Sequence, residues 1–213
     1  MRFIPLEGDA HYPWVDDVDS VLRPTIEFLT EGDEDTAAPG PGERQEGMVV
    51  VLFTDIADST ALTQRLGDTK AQELVRAHNT IVRKALSARG GSEIKHTGDG
   101  IMASFPTASS ALECAVAIQG AVDSRGEAHL RVHIGLNAGE PVAEDSDLFG
   151  TAVQLARRIC DHAADGEILV SDVVRQLAAG KGFAFVDRGP SSLKGFSEAI
   201  PLYELRWKDV ATG

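Results

Sequence analysis

The most constraining feature of the sequence is an apolar run that ends in a carboxylate, Val49–Ile56 (VVVLFTDI). A run so rich in β-branched residues, with so few polar positions, predicts a strand that is buried on both faces. Asp55 therefore stands at the end of a central strand. A second aspartate, Asp99, lies between two glycines, which predicts a tight hairpin between strands over Ser92–Lys95 and Ile101–Phe105.

Asp55 and Asp99 would meet if their two strands are neighbours in one sheet. Two such carboxylates suit a pair of hard divalent cations, because Mg²⁺ prefers carboxylate oxygen and completes its coordination shell with water and substrate phosphates. The pattern therefore indicates chemistry on a nucleoside triphosphate.

The composition is typical of a soluble globular protein with one core-forming domain and some additional chain, since 43% of the 213 residues are hydrophobic and 25% are charged. No apolar run approaches the ~20 residues that span a bilayer. The N-terminus lacks the apolar stretch of a secretory signal, so we expect a cytoplasmic protein with no membrane span. Cys114 and Cys160 fall in helical patterns and are expected to be buried free thiols.

The net charge of −13 is unevenly distributed, because residues 1–47 carry −9 and the rest of the chain carries −4. Nucleic-acid binding needs clustered Lys and Arg to neutralise phosphates, and the sequence has no such cluster. We therefore expect no nucleic-acid partner. The same argument disfavours a palm-domain polymerase, which also uses paired carboxylates but needs a basic template groove.

The chain divides into three parts by composition. Residues 33–47 form an acidic stretch with two Pro-Gly pairs and no apolar anchor, which predicts a linker. Residues 1–32 contain apolar side chains but are too few to fold alone. Residues 48–208 show regular hydrophobic periodicity and are the predicted folded domain.

The periodicity within this domain predicts alternating strands and helices. The expected order is a strand over Met48–Asp55, one long helix from Ser59 or Thr60 to about Ala85, the hairpin, a helix over Ala108–Val122, a strand over Leu130–Ala138, a helix over Ala152–Ala163, a strand over Glu167–Val170, a short helix over Val173–Ala178 and a final hairpin of Phe183–Arg188 and Ile200–Trp207. The first six elements are β-α-β-β-α-β, which is the ferredoxin-like split βαβ arrangement of an α+β fold.

Six short motifs occur in order along residues 48–207. They are Phe53-Thr54-Asp55-Ile56, Lys95-x-Thr97-Gly98-Asp99-Gly100, His133-Ile134-Gly135-Leu136, Asp147-Leu148-Phe149-Gly150, Val153-x-Leu155-Ala156-x-Arg158 and Leu193-Lys194-Gly195-Phe196. Together they resemble the class III adenylate/guanylate cyclase catalytic domain of the bacterial type. The resemblance implies the class III cyclase fold, with a ferredoxin-like core and a C-terminal αβ extension.

The resemblance also implies a metal site and a phosphate site. Asp55 and Asp99 match the family's two metal-binding aspartates, which would hold two Mg²⁺ or Mn²⁺ ions per site. The carbonyl of Ile56 matches a further metal ligand. Ser59 and Thr60 lie at a predicted helix start, where backbone N–H groups can bind phosphate.

Five further residues match positions that contact the nucleotide in the family. Lys95 and Asp147 match the pair that reads the purine and imply ATP, because lysine donates to adenine N1 and aspartate accepts from its amino group. Arg158 matches the arginine that stabilises charge developing on phosphate, and Lys194 matches a lysine at the terminal phosphates. Gln154 stands where the family usually has Asn, and a misplacement of ~1 Å can cost on the order of 10²-fold in rate.

The implied enzyme is an adenylate cyclase that converts ATP to 3′,5′-cyclic AMP and pyrophosphate at the interface of a head-to-tail homodimer. The metals would lie on one subunit, while the base-reading pair and the arginine come from the other. Two alternatives stay open: a guanylate cyclase, and a catalytically silent cyclase-like module that dimerises and signals by contact.

The N-terminal segment has a separate resemblance. Residues 6–29 look like the extreme C-terminus of an α/β-hydrolase, and His11 falls at the position of the catalytic histidine. The chain has no Gly-x-Ser-x-Gly motif, however, and a lone triad histidine performs no hydrolysis. The segment is therefore interpreted as the end of a fused hydrolase or as a regulatory tail.

Overall fold

The computed structural model of the protein describes residues 47–126 and 130–208. The hydrolase-like segment 1–32 and the linker, apart from its last residue, lie outside the described residues, so both interpretations stay predictions. The described chain folds into these elements: β1 Val49–Ile56, α1 Ser59–Leu66, α2 Asp68–Arg89, β2 Ser92–His96, β3 Gly100–Phe105, α3 Ala108–Arg125, β4 Val132–Gly139, β5 Val142–Glu144, β6 Asp147–Phe149, α4 Thr151–His162, β7 Ile168–Ser171, α5 Asp172–Leu177, β8 Phe185–Ser191 and β9 Ile200–Leu205.

Seven of the strands form one mixed sheet in the order β2-β3-β1-β4-β7-β9-β8. The strand β1 lies inside the sheet and pairs antiparallel with both β3 and β4, while β4, the central strand, pairs parallel with β7. The first four sheet strands have the order expected of a split βαβ core. The predicted α+β class and ferredoxin-like core are therefore confirmed, and β7, β8 and β9 form the C-terminal extension.

The two faces of β1 pack against different helices because successive side chains of a strand point to opposite sides. Val50 and Leu52 belong to the larger core, which α2 and α3 cover. Val51 and Phe53 point the other way and pack with the buried face of α4. By the same alternation Thr54 belongs to the α2 side, and Asp55 belongs to the α4 side.

The α4 helix packs unusually close to the sheet. A Cβ atom on Gly135 in β4 would lie 2.2 Å from the backbone nitrogen of Cys160, so only glycine fits at this crossing. This close approach brings the middle of α4 near the end of β1. Cys160 and Cys114 are both buried and free, as expected.

Two local features differ from the sequence-based prediction. The long helix predicted from Ser59 to about Ala85 is wrong, because the chain breaks at Gly67 (φ 81°, ψ 160°) and forms α1 and α2 instead. The sequence analysis also missed the small β5–β6 hairpin. Its turn contains Asp145 (φ 48°) and Ser146 (φ 65°), two consecutive left-handed residues that match the twist of a two-residue hairpin.

Within residues 47–126 and 130–208, no helix is both long enough and apolar enough to cross a bilayer.

Candidate active site

The sheet register brings Asp55 and Asp99 together. Asp55 of β1 pairs with Gly100 of β3, so the hairpin tip that carries Asp99 lies beside the end of β1. The backbone N–H of Ile56 donates to the carbonyl oxygen of Asp99 at 3.2 Å, which fixes this contact. The two carboxyl groups are close enough for each to affect the pKa of the other.

The start of α1 completes one side of this site. Asp58 adopts a left-handed conformation (φ 50°, ψ 35°) that turns the chain from β1 into α1, and its side chain does not cap the helix. Ser59 is the first helical residue, and its hydroxyl donates to Asp99 Oδ2 at 2.5 Å. Ile56, Ser59, Thr60 and Asp99 line one cavity of about 340 Å³. The predicted phosphate-binding turn and both predicted metal-binding aspartates therefore lie in one place.

The two carboxyl groups differ in their proton affinity. Burial, reinforced by the neighbouring Asp99 carboxyl, raises the pKa of Asp55 to about 6, although the guanidinium of Arg157 acts in the opposite direction. Burial also acts to raise the pKa of Asp99, but hydrogen bonds from Ser59 and Asp55 outweigh it and hold that pKa below its ordinary value. Asp99 is therefore the more readily ionised partner.

The oxygen atoms of the site fit a hard divalent cation. Asp55 Oδ1 is buried and accepts no hydrogen bond from the described chain, whereas buried polar atoms are normally satisfied. Within residues 47–126 and 130–208, no cluster of three or more His, Cys, Asp or Glu side chains could hold a metal. The two carboxylates would thus need oxygens from a substrate, water or the backbone to complete a shell, which is how Mg²⁺ is usually held.

Arg157 is a site residue that the sequence analysis passed over. It projects from α4, and its Nη2 atom lies 2.7 Å from Asp55 Oδ2, while its Nε atom lies 2.8 Å from Asp161 Oδ1. Its guanidinium carbon is 5.8 Å from the centre of the Phe53 ring. One signal was available: Arg157 follows Val153 by one helical turn, on the apolar face of α4.

Three of the predicted nucleotide-contacting residues have other partners or are exposed. Arg158 pairs with Asp161 at 2.9 Å, and Gln154, also on α4, is exposed. Lys194 is exposed in the loop between β8 and β9. Within the part of the chain that the structure describes, the hydrogen bonds and ion pairs of the two aspartates involve none of these three.

Lys95 and Asp147 form an ion pair, although 52 residues separate them in the sequence. Lys95 Nζ lies 2.5 Å from Asp147 Oδ2 and 5.5 Å from the centre of the Phe149 ring. The hydrogen bond from Lys95 lowers the pKa of Asp147 below its ordinary value. The hairpin that the sequence analysis missed is what positions Asp147, because it is the first residue of β6.

A polar network that runs from buried Thr54 and His78 to exposed His96 supports the hairpin tip from the other side of the sheet. His78 lies between Thr54 Oγ1 and the Asn79 amide, both at 3.0 Å, and Asn79 contacts His96 at 2.9 Å. The N–H of Gly98 donates to His96 Nδ1, so a neutral His96 carries its proton on Nε2. Asn79 Oδ1 faces His78 Nδ1 and Asn79 Nδ2 faces His96 Nε2, which sets two donors against each other at His96. Exchanging the oxygen and nitrogen of the Asn79 amide removes this conflict, because His96 then donates to the Asn79 oxygen and the Asn79 nitrogen donates to His78. His78 Nε2 is then left to donate to Thr54 Oγ1.

This network connects the strand before Asp55 to the loop that holds Asp99. His78 is fully buried, and burial lowers its pKa to about 4, so it is neutral near pH 7. The sequence analysis assigned no role to His78 or His96, because no local pattern shows that the two rings are linked through Asn79.

Comparison with known proteins identifies the family. Residues 43–206 match the model of the adenylate and guanylate cyclase catalytic domain. The chain belongs to this family. Among curated relatives, adenylate cyclase of Mycosarcoma maydis is 34% identical over 160 residues, which is 62% of this chain and 6% of that protein. The uncharacterized protein Rv2212 of Mycobacterium tuberculosis is 33% identical over 155 residues, or 72% of this chain and 40% of that protein.

Solved structures agree with this assignment. The adenylate/guanylate cyclase/hydrolase of Silicibacter pomeroyi is 33% identical, with a TM-score of 0.66, and the match covers 77% of this chain and 98% of that one. The adenylate cyclases of Trypanosoma brucei in their monomeric state include a chain with a TM-score of 0.67 at 22% identity, which shows a shared fold. The present chain spans only 29 to 40% of the length of the first curated relatives it matches.

Proposed function

We propose that this cyclase domain is an adenylate cyclase, which converts ATP to 3′,5′-cyclic AMP and pyrophosphate. The observation that carries the choice of ATP is the juxtaposition of Lys95 and Asp147. Lysine offers only donors and an ionised aspartate only acceptors. Adenine presents an acceptor at N1 and a donor at its amino group, so the pair matches it. Guanine presents the opposite pattern at both atoms.

The paired state of Lys95 and Asp147 suits a base-reading role. Both side chains are partly exposed, at 42% and 24%, so a base edge can reach them from solvent. Their ion pair points both side chains at one place before the nucleotide arrives. The adenine edge would then insert between them and replace one salt bridge with two oriented hydrogen bonds.

The triphosphate end would be held by Asp55, Asp99 and the start of α1. Two Mg²⁺ or Mn²⁺ ions on these carboxylates would supply the charge that activates the ribose 3′-hydroxyl and neutralises the phosphates. Ser59 orients Asp99 through its hydroxyl. The N–H groups at the start of α1 would donate to phosphate oxygens, and Ile56 would offer its carbonyl.

The remaining nucleotide-contacting residues would come from a second copy of the chain. Arg158, Gln154 and Lys194 make none of the described hydrogen bonds and ion pairs of the two carboxylates, which favours a site shared between subunits. In a head-to-tail homodimer, Arg158 of one subunit would stabilise the charge that develops on the phosphate held by the other. Gln154 would donate to the ribose, and Lys194 would contact the terminal phosphates.

Product analysis tests this proposal. The purified protein is given ATP or GTP with Mg²⁺ or Mn²⁺, and cyclic nucleotides are quantified by mass spectrometry. We expect cyclic AMP from ATP in large excess over cyclic GMP from GTP. Lys95→Ala should reduce the preference for ATP at least tenfold, because it removes the donor to adenine N1.

Lys84→Ala is a matched control, since Lys84 is an exposed lysine on the neighbouring α2 helix. It should keep the parent's preference. An excess of cyclic GMP would favour the guanylate cyclase alternative. A dimer that forms neither product would favour a silent signalling module, for which the unusual amide at Gln154 is the supporting observation.

A further inference from the structure

Arg157 holds an unusual position between two carboxylates. It contacts Asp55 through Nη2 and Asp161 through Nε, so one guanidinium bridges the end of β1 and the C-terminal half of α4. The Asp55 side chain is 17% exposed and that of Arg157 is 32% exposed. The contact is therefore sheltered, yet Arg157 retains an edge that faces solvent.

The charges around Asp55 explain why a cation is needed there. The strand register and the hydrogen bond from Ile56 to the Asp99 carbonyl place Asp55 beside Asp99, and two ionised carboxylates side by side repel each other. Arg157 supplies the positive charge that the structure places against Asp55. A divalent cation held by Asp55 and Asp99 would neutralise the same Asp55 carboxylate, so Arg157 and the metal ion would compete for it.

We propose that Arg157 is a built-in competitor of the divalent cation, pairing with Asp55 when the metal is absent and yielding that carboxylate when the metal binds. This inference rests on the metal site of the proposed function. It assigns a new role to Arg157, which is distinct from the neighbouring Arg158.

The second carboxylate makes the exchange feasible. Arg157 already donates to Asp161, so losing the Asp55 contact would leave its charge paired rather than orphaned in a sheltered place. The Arg157 guanidinium would also keep its position against the Phe53 ring. Asp161 therefore acts as the alternative partner, and its strength as an acceptor should influence how readily Arg157 releases Asp55.

Two variants should shift metal affinity in opposite directions. Arg157→Met keeps the apolar stem against Phe53 but removes the competing charge, so the dissociation constant for Mn²⁺ should fall about three- to tenfold. Asp161→Asn removes the alternative partner, so Arg157 should hold Asp55 more firmly and the dissociation constant should rise. A purely structural ion pair would not produce this reversal of sign.

The measurement is Mn²⁺ binding to the full chain without nucleotide, followed by the electron paramagnetic resonance signal of free Mn²⁺. At pH 8 the solution is well above the Asp55 pKa of about 6, so protonation of that carboxyl does not compete. Arg83→Met is the matched control, because it removes an arginine that pairs with the surface residue Glu93 and should leave Mn²⁺ affinity unchanged. Arg157→Lys keeps the charge and should change affinity less than Arg157→Met.

Unchanged or weaker Mn²⁺ binding in Arg157→Met would overturn the proposal, since Arg157 would then position Asp55 rather than compete for it. Absence of binding in both the parent and Arg157→Met would overturn it as well. Asp55→Ala separates this inference from the proposed function. If Asp55→Ala binds Mn²⁺ as tightly as the parent, the metal site itself is wrong, whatever Arg157 does.

Discussion

The buried histidine beside the candidate active site should make the stability of the protein depend on pH. His78 has a pKa of about 4 in the folded protein, against an ordinary value of 6.5. Between these values the unfolded chain binds a proton that the folded protein excludes. The free energy of unfolding should therefore fall as the pH is lowered through this window, and the contribution of His78 should vanish above about pH 7.

The size of the effect follows from the two pKa values. At pH 5.0 His78 should lower the free energy of unfolding by about 2 kcal/mol, and at pH 7.5 it should have almost no effect. The contribution of Asp55 to the free energy of unfolding changes with pH in the opposite direction. Its pKa is raised to about 6, so the folded protein retains a proton that the unfolded chain releases. Lowering the pH from about 6 to 4 therefore makes the contribution of Asp55 more favourable to the folded state. In the parent protein this partly offsets the destabilisation that His78 causes over the same pH range.

His78→Gln isolates the contribution, because glutamine can donate to Thr54 from a similar position but does not titrate. Urea unfolding is followed by circular dichroism in EDTA, at fixed protein concentration, at pH 7.5 and pH 5.0. The stability difference between parent and variant should shift by about 2 kcal/mol in favour of the variant at the lower pH. The control variant His162→Gln, at an exposed position in α4, should show the same change in the free energy of unfolding between the two pH values as the parent. An equal change for the parent and His78→Gln would refute the reasoning.

Three further predictions concern the site. Asp55→Ala and Asp99→Ala should each reduce cyclisation below ~1% of the parent rate by removing a metal ligand, and a variant that keeps half the rate would exclude the two-metal assignment. In metal-free buffer at pH 7.5, Asp55→Ala should not lower the free energy of unfolding, because its buried carboxyl with a raised pKa disfavours the folded state; a clear loss in a urea titration would contradict this. Gln154→Asn should raise the rate of cyclic AMP formation roughly five- to a hundredfold by restoring a well-placed hydrogen bond to ribose, whereas a rate within twofold of the parent would show that Gln154 already makes this contact.

Much of the fold was accessible from the sequence because the apolar periodicity reports directly on burial. The β1 run and the Gly98–Gly100 turn are local signals, so their adjacency and the meeting of Asp55 with Asp99 could be predicted. Lys95 and Asp147 also come together in the structure, although only the family resemblance, and no local pattern, linked them.

The features that escaped prediction depend on backbone conformation or on contacts between distant elements. The break at Gly67 interrupts a helical pattern that is otherwise continuous, and a single glycine is often tolerated within a helix. The β5–β6 turn uses Asp145 and Ser146 in left-handed conformations without a glycine. Arg157 was missed because the contact of α4 with the end of β1 depends on the close packing at Gly135, which periodicity does not encode.

The most direct test of the central claim, an adenylate cyclase with active sites shared between two copies, is to mix two inactive variants. In the proposed dimer, Asp55→Ala would remove the metal side of each site, and Arg158→Ala would remove the phosphate-stabilising side. In a randomly exchanged mixture half of the dimers are mixed, and each has one intact site of two, so about a quarter of the parent's cyclic AMP formation should return. Mass spectrometry of the product from ATP measures this recovery. No recovery in a mixture whose subunits are shown to exchange, or recovery of activity on GTP alone, would contradict the account.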